Sequence, residues 1–380
     1  MIQKIYKTIQ MRIVKYKIIK IIFSCLLFLL YILVKKHINQ HNLNNIFNNI
    51  KRIGVSCLRN SKNVGNILVK YAMLKKLEDF GFNVTIITPK NYMKNQTYFI
   101  TKALSSNLYI INKNYSEELK ESDFNYLLVN SDQTWAYSKD RFLYDIGFLK
   151  FSKNWKIKKF VYGASIGKVK WYYNKTEDEE IKQLLSNFTG VSFRENGMIK
   201  IVEEHLGIKG IFVLDPTLII DKQYYLNEIR DYKGDFNSSE KCIFVYQLDN
   251  NKIIKKFIEY IKNKLKYKIY RFDFNRPDNI ESFIFGINNS QAVITDSFHG
   301  TVFSIIFNKP FISFINKSRG KSRFDCLTKI FKLQNRIIMP SENFTINYKL
   351  LIKKPNINQT LMNQLKNISI NYLKKNLDIL

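Results

Sequence analysis

The amino-acid sequence predicts an α/β protein with two parallel, doubly wound sheets, and three observations lead there. From Arg52 to Phe314, short apolar runs with strand character alternate with longer stretches of helical apolar spacing. A polar break, Asp231 to Lys241 with Gly234 and Ser238-Ser239, divides that alternation into two series. The chain has 380 residues, 46% of them hydrophobic and 14% aromatic, which suffices for two globular units with a sizeable core.

In the first series Ile53-Gly54-Val55-Ser56 reads as a strand. Asn63 to Phe80 follows with helical spacing at Ile67, Leu68, Tyr71, Met73, Leu74 and Leu77. Gly81-Phe82-Asn83 turns the chain into the strand Val84-Thr85-Ile86-Ile87, closed by Pro89, which completes a βαβ unit. Tyr126 to Val129, Phe160 to Gly163, Gly190 to Phe193 and Ile211 to Leu214 are further buried-strand runs, with a helical stretch from Thr176 to Asn187. The second series runs strand Cys242 to Leu248, helix Asn251 to Leu265, strand Lys268 to Arg271 and helix Ile280 to Asn288. It continues with strand Ala292 to Thr295, helix Thr301 to Phe307 and strand Phe311 to Phe314. The expected organisation is a Rossmann-like domain over 51–235, a second over 236–340 and a helical tail over 341–380. Strands separated by helices run parallel, and two such sheets place a ligand cleft at their shared edge.

Residues 1–50 stand apart in composition. Ile21 to Val34 runs without charge between Lys20 and Lys35-Lys36. As a helix rising about 1.5 Å per residue it covers only about 20 Å of a hydrocarbon layer about 30 Å thick, unless Lys20 snorkels and Ile18-Ile19 extend it. A cleaved signal peptide is disfavoured, because Val34-Lys35-Lys36 stands where a small-residue cleavage site belongs. Lys4, Lys7, Arg12, Lys15, Lys17 and Lys20 hold the N-terminus in the cytoplasm, so a true span exports everything after it. An in-plane amphipathic helix with cationic flanks on anionic headgroups keeps the remainder cytosolic and is the preferred reading, with a single span and a buried helix left open beside it. The expected location is the cytoplasmic face of the membrane.

Lys and Arg number 61 against 31 Asp and Glu, a net charge of +30, which favours anionic partners. The basic residues are scattered, and neither zinc-finger spacing nor an RNP-like aromatic motif accompanies them, so nucleic acid is not an expected partner. Cys25, Cys57, Cys242 and Cys326 form no CxxC pair, which argues against a zinc site or a disulfide framework and fits a reducing cytosol.

The most informative stretch is Thr295-Asp296-Ser297-Phe298-His299-Gly300-Thr301, where an apolar strand ends in polar residues and a helix begins at once. His299 then lies at the carboxyl end of a strand. The amides of Gly300 and Thr301, with the positive helix end, make a phosphate-sized anion site beside the imidazole, which can serve as a general acid. The plain alternative is that Ser297 caps the helix and His299 is a satisfied core histidine.

That stretch, followed by Asn308-Lys309-Pro310-Phe311, resembles the C-terminal signature of the polysaccharide pyruvyl transferase family. Other blocks match in the family's order. They are Asn63-Val64-Gly65-Asn66 with Tyr71-Ala72, Ser131-Asp132-Gln133-Thr134-Trp135, Tyr162-Gly163-Ala164-Ser165-Ile166-Gly167, Ser192-Phe193-Arg194-Glu195 and Leu214-Asp215-Pro216-Thr217-Leu218. The resemblance spans about residues 52 to 330. It implies a GT-B-like fold with the active site between two Rossmann-like domains, phosphoenolpyruvate as donor, and a diol on a glycan or lipid-linked oligosaccharide as acceptor. It also implies His299 as catalytic acid and Arg194 as a clamp on the donor's phosphate or carboxylate. Ser297, Gly300, Thr301 and Arg323 fall on the donor side, and Asn63, Asn66, Asp132 and Gln133 on the acceptor side.

Read on their own, several of these residues keep alternatives. A planar guanidinium suits bidentate oxyanion binding, yet Arg194 also suits an ion pair with Glu195 or Glu203. Asp132 and Gln133 either hold sugar hydroxyls or form a turn with Asp132 as a cap. Arg323 is a donor contact or a solvated charge, and Asp215-Pro216-Thr217 reads as a structural turn. The chain departs from the family with Leu68-Val69 where Leu-Gln is common and with Asn130 where Gly precedes Ser-Asp-Gln. Metal-ligand spacing is absent, so neither a metal nor a cofactor beyond the co-substrate is expected. The competing readings are a GT-B glycosyltransferase using a nucleotide sugar and a membrane-associated assembly factor without catalysis.

Overall fold

Strand β1 (Arg52–Ser56) is buried at four of its five residues, the mark of a central strand covered on both faces. It pairs in parallel with β2 (Asn83–Pro89) on one side and with β4 (Tyr126–Val129) on the other. Adding β3 (Asn107–Ile111), β5 (Lys158–Val161) and β6 (Phe188–Gly190) gives a six-stranded parallel sheet in the order β3-β2-β1-β4-β5-β6. This is the Rossmann order, with its switch point between β1 and β4. A small parallel pair, β7 (Ser192–Phe193) and β8 (Ile211–Phe212), continues from it. Bridges Asp132↔Ala164 and Ala164↔Phe193 link that pair to the carboxyl ends of β4 and β5.

The second sheet contains β9 (Cys242–Tyr246), β10 (Lys268–Arg271), β11 (Ala292–Thr295), β12 (Phe311–Phe314) and β13 (Ile337–Ile338), all parallel, in the order β10-β9-β11-β12-β13. This is the other common doubly wound order. In this computed structural model the described residues are 51–57, 64–89, 107–111, 119–167, 170–234, 236, 240–275, 279–315, 321–340 and 347–380. The hydrophobic helix expected within 1–50 and the acceptor candidate Asn63 lie outside them. Residues Arg52–Leu380 form one compact unit.

Within that unit the two sheets share a core. Ile53, Val55, Leu128 and Phe160 from the first sheet belong to the same buried apolar cluster as Phe244, Tyr246, Val293 and Phe311 from the second. The C-terminal helix Gln359–Asn376 returns to the first sheet. There the Tyr372 hydroxyl donates to the Val161 carbonyl (2.6 Å), the Leu214 amide donates to Ser369 Oγ (2.9 Å), and the Thr189 hydroxyl donates to Asn376 Oδ1 (2.7 Å). Among the described residues no helix is long and apolar enough to cross a membrane.

Several elements go beyond the expected set. Strands β3 and β13 and the helices Arg141–Gly147, Asn196–Leu206 and Lys321–Phe331 were not anticipated. β13 has two residues, too few for any period to register. The helix after β11 spans Phe298–Ile306 and starts three residues before its expected first residue, because Ser297 in extended conformation caps it there. His299 therefore sits inside the first helical turn.

Candidate active site

All strands of a parallel sheet point the same way, so their carboxyl ends deliver side chains to one edge. At that edge of the first sheet β4 ends in Asn130-Ser131-Asp132, and in the small pair bridged to it β7 ends in Arg194-Glu195 and β8 is followed by Asp215. Arg194 joins them. Its two terminal nitrogens donate to Asp132 Oδ1 (2.8 Å) and Asp215 Oδ2 (2.6 Å), and its side chain is 1% exposed. Asp215 also accepts from the Thr217 amide (3.0 Å) and hydroxyl (2.7 Å), capping the short helix Pro216–Ile219. His299, from the second sheet, brings Nε2 to 3.6 Å from Asp215 Oδ2, beyond a good hydrogen bond.

The imidazole is walled on one side by the helix Val64–Asp79 from the first half. A Cβ added to Gly65 would fall on the His299 ring, so only glycine permits this approach. Below the ring, the Gly300 amide donates to Ser297 Oγ (3.4 Å) and the Thr301 amide to the Ser297 carbonyl (3.0 Å). The Thr301 hydroxyl pairs with Ser313 Oγ (2.6 Å). This revises the expected anion cradle. The amides of Gly300 and Thr301 are engaged within the helix, and the first-turn donors left by helix geometry are those of Phe298 and His299. Ser297 does cap the helix, but His299 is not a satisfied core histidine, since its buried Nε2 makes no hydrogen bond.

Arg323 arrives on the helix Lys321–Phe331 and is buried, so the solvated alternative does not hold. Its guanidinium lies 5.1 Å from the Phe298 ring centre, and that of Arg194 lies 5.5 Å from the same ring. Glu195 ties the halves together, accepting from Ser165 Oγ (2.5 Å) and from Ser322 Oγ on the Arg323 helix (2.8 Å). Lys70, from the helix Val64–Asp79, is buried beside Cys57 and Asp132.

The cluster thus holds three buried basic residues, Lys70, Arg194 and Arg323, against three acidic ones, Asp132, Glu195 and Asp215. Burial works against the Arg194 charge, but Asp132 and Asp215 outweigh it and raise its pKa. Burial, then the neighbouring Arg194, push Arg323 down. Burial also lowers Lys70, against the pull of Cys57 and Asp132. Asp215 is buried too, yet His299, Arg194 and Thr217 hold its carboxyl well below the usual carboxylate range. Asp296 serves the turn after β9, accepting from the Leu248 and Asp249 amides (2.7 and 3.0 Å), and burial pushes its carboxyl up to about 6.

Asp132 has a backbone φ of 101°, outside the regions that side chains favour. Such strain persists where surroundings over-determine it, often at functional sites. Its carboxylate accepts from Arg194, and the neighbouring Gln133 is half-buried with its amide against Gly167. Asn66 is half-buried in the first turn of the helix Val64–Asp79, one residue from the glycine against His299.

Four residues at the site, three of the cluster and Gly65, carried no functional expectation of their own in the sequence. Asp215 was read as a turn because an aspartate before proline is an ordinary cap, and it is both cap and ion-pair partner. Lys70 carried a signal, since it falls on the apolar stripe Ile67, Tyr71, Leu74 and Leu77, where a lysine is out of place. Glu195 and Gly65 lay inside matched blocks without a pattern of their own.

Two parallel doubly wound sheets with a charged cluster at their carboxyl edges define an α/β protein of GT-B-like architecture. The UDP-GlcNAc 2-epimerase from Neisseria meningitidis, solved with UDP-GlcNAc bound, superposes with a TM-score of 0.56 at 11% identity, covering 86% of this chain and 100% of its own. The Arabidopsis thaliana protein UGT89C1 gives 0.48 at 10% identity, covering 86% and 97%. At such identities the epimerase likeness shows the fold alone. Comparison with curated proteins found no match. The sequence model of the polysaccharide pyruvyl transferase family matches residues 63–318, well over half of the chain. The chain belongs to that family and is a transferase.

Proposed function

We propose that this polysaccharide pyruvyl transferase takes phosphoenolpyruvate as donor and closes a ketal on two hydroxyls of one sugar in a surface glycan or its lipid-linked precursor. The observation that carries the reading is the state of two buried nitrogens. His299 Nε2 and Arg194 Nε are enclosed in a cluster of three basic and three acidic side chains and make no hydrogen bond to the protein. Buried polar atoms without partners are costly, and a site that leaves them is suited to a ligand that supplies acceptors. A donor bearing a phosphate and a carboxylate does so.

In this chemistry one sugar hydroxyl oxygen forms a bond to C2 of the enolpyruvyl group while C3 accepts a proton and becomes a methyl. His299, in its protonated form, is the acid that delivers that proton, and the proton released by the attacking hydroxyl restores it. The second hydroxyl then bonds to C2 as the C2–O bond to phosphate breaks, and inorganic phosphate leaves with the remaining hydroxyl proton. Arg194 and Arg323, with the helix start at Phe298 and His299, offset the charge of the departing phosphate. Asp132 and Asp215 fix the plane of Arg194, and a preset plane costs no reorganisation during reaction. Ser297 sets where the helix begins, and Thr301 anchors it to β12. On the acceptor side we place Asn66, Gln133 and, from its neighbouring sequence position, Asn63. We further propose that residues 1–50 hold the enzyme at the cytoplasmic membrane face, where a lipid-linked acceptor and a cytosolic donor meet.

The test is phosphate release from phosphoenolpyruvate with a panel of glycan acceptors, comparing the intact chain with His299→Ala and the bulkier His299→Gln. Acceptor-dependent release that falls by roughly 10²- to 10⁴-fold in both variants is expected. Release that either variant leaves undiminished would remove His299 as the acid.

A further inference from the structure

Beside the charged cluster lies a cavity of about 300 Å³, of whose lining the reading above uses only Gln133. Its walls are aromatic. Trp135 and Trp171 are buried and already spend their ring N–H groups, on the Gly147 carbonyl (3.0 Å) and on Asp178 Oδ1 (2.6 Å). The Tyr173 hydroxyl donates to the Trp135 carbonyl (3.3 Å). The walls are thereby fixed, and what they offer a ligand is ring surface.

At the rim stand Tyr137 and Tyr172, 44% and 46% exposed, with ring centres 6.3 Å apart and planes inclined by 40°. Two large aromatics side by side in water are an unusual surface feature. Lys170 Nζ lies 5.5 Å from the Tyr172 ring centre. The polar group of the cavity on the reaction side is Gln133, the residue after Asp132, and it is held closely because a Cβ on Gly167 would collide with its amide.

We infer that this cavity seats one pyranose ring of the acceptor glycan, with Tyr137 and Tyr172 as its platform and the Gln133 amide as its hydrogen-bonding partner. The inference rests on the pyruvyl-transfer reading and names where its acceptor binds. The axial C–H groups of a pyranose are partly positive and suit the negative face of an aromatic ring, while its hydroxyls need a few placed polar groups. The size selects one ring, since ligand sites run from roughly 300 to 1,000 Å³ and this one is at the lower limit. The sequence step from Asp132, bound to Arg194, to Gln133, in the cavity, connects the seat to the reacting centre.

The probes are the methyl β-glycosides of glucose, galactose, N-acetylglucosamine and N-acetylmannosamine, titrated into the intact chain and into the Tyr137→Ala/Tyr172→Ala variant, whose changes are at exposed positions. Two signals are read, phosphate release from phosphoenolpyruvate and tryptophan emission. For a glycoside that supports release, the acceptor KM rises roughly tenfold in the variant while the KM for phosphoenolpyruvate stays within about twofold. An unchanged acceptor KM overturns the subsite and leaves pyruvyl transfer standing. Where no glycoside supports release, one that shifts the emission of the intact chain and not of the variant upholds the subsite and counts against the transfer reading. Emission that answers to none of the four, without release, overturns the subsite.

Discussion

Arg194 keeps its charge in a setting where burial alone would oppose it, because two carboxylates face it at hydrogen-bonding distance. Removing one partner of a buried pair leaves the other uncompensated, which costs about 3–5 kcal/mol. Because Asp132 still faces Arg194, Asp215→Asn is expected to destabilise the protein by up to about that amount at pH 7, measured by urea unfolding. The pH dependence follows from the sign of the shift. The folded carboxyl lies below its unfolded value of about 3.9, so its stabilising effect is present above that pH and is lost on acidification. The gap between the native chain and Asp215→Asn should narrow as pH falls below about 4. A gap independent of pH would show that the charge of Asp215 contributes nothing to stability. Arg194→Lys keeps a charge but cannot span both aspartates, and it is expected to lose activity while binding donor weakly.

At the scale of elements, the site depends on how closely the helix Val64–Asp79 approaches the helix Phe298–Ile306. In a free helix Gly65→Ala adds stability of up to about 1 kcal/mol. Here the new methyl meets a buried imidazole, so the expected outcome is a lower Tm and a fall in kcat of about a hundredfold from displacement of His299. A gain in Tm with full activity would mean that the ring yields freely. The elements themselves were legible to differing degrees. Tyr126–Val129, Lys268–Arg271, Ala292–Thr295 and Phe311–Phe314 coincide with their expected bounds, and the first and third are apolar runs closed by polar residues. The early start at Phe298 was not, because an aromatic pair inside a motif gives no helical period and only the Ser297 cap marks the boundary.

For the whole molecule, sequence pattern revealed two parallel series but not that they share one apolar core, since periodicity shows which residues are buried and never what they are buried against. The same limit hid the aromatic cavity, whose residues come from two separate segments around Trp135 and Trp171. The described core lies within Arg52–Leu380, which bears on residues 1–50. They carry eight Lys and Arg and no acidic residue, leaving +22 of the net charge of +30 on the remainder. Net charge favours anionic partners for both parts alike, so charge alone cannot distinguish which of them a lipid surface would hold. Salt can. At about 1 M salt the Debye length is roughly 3 Å and electrostatic attraction of exposed charge largely vanishes, whereas apolar insertion persists. The intact chain is expected to float with vesicles of anionic lipid at high salt, and a chain of residues 51–380 to float at low salt only. The shortened chain should keep its Tm and its phosphate release with soluble glycosides, because its core and cluster lie within Arg52–Leu380. Flotation of the shortened chain at high salt would move the membrane contact onto the catalytic unit itself.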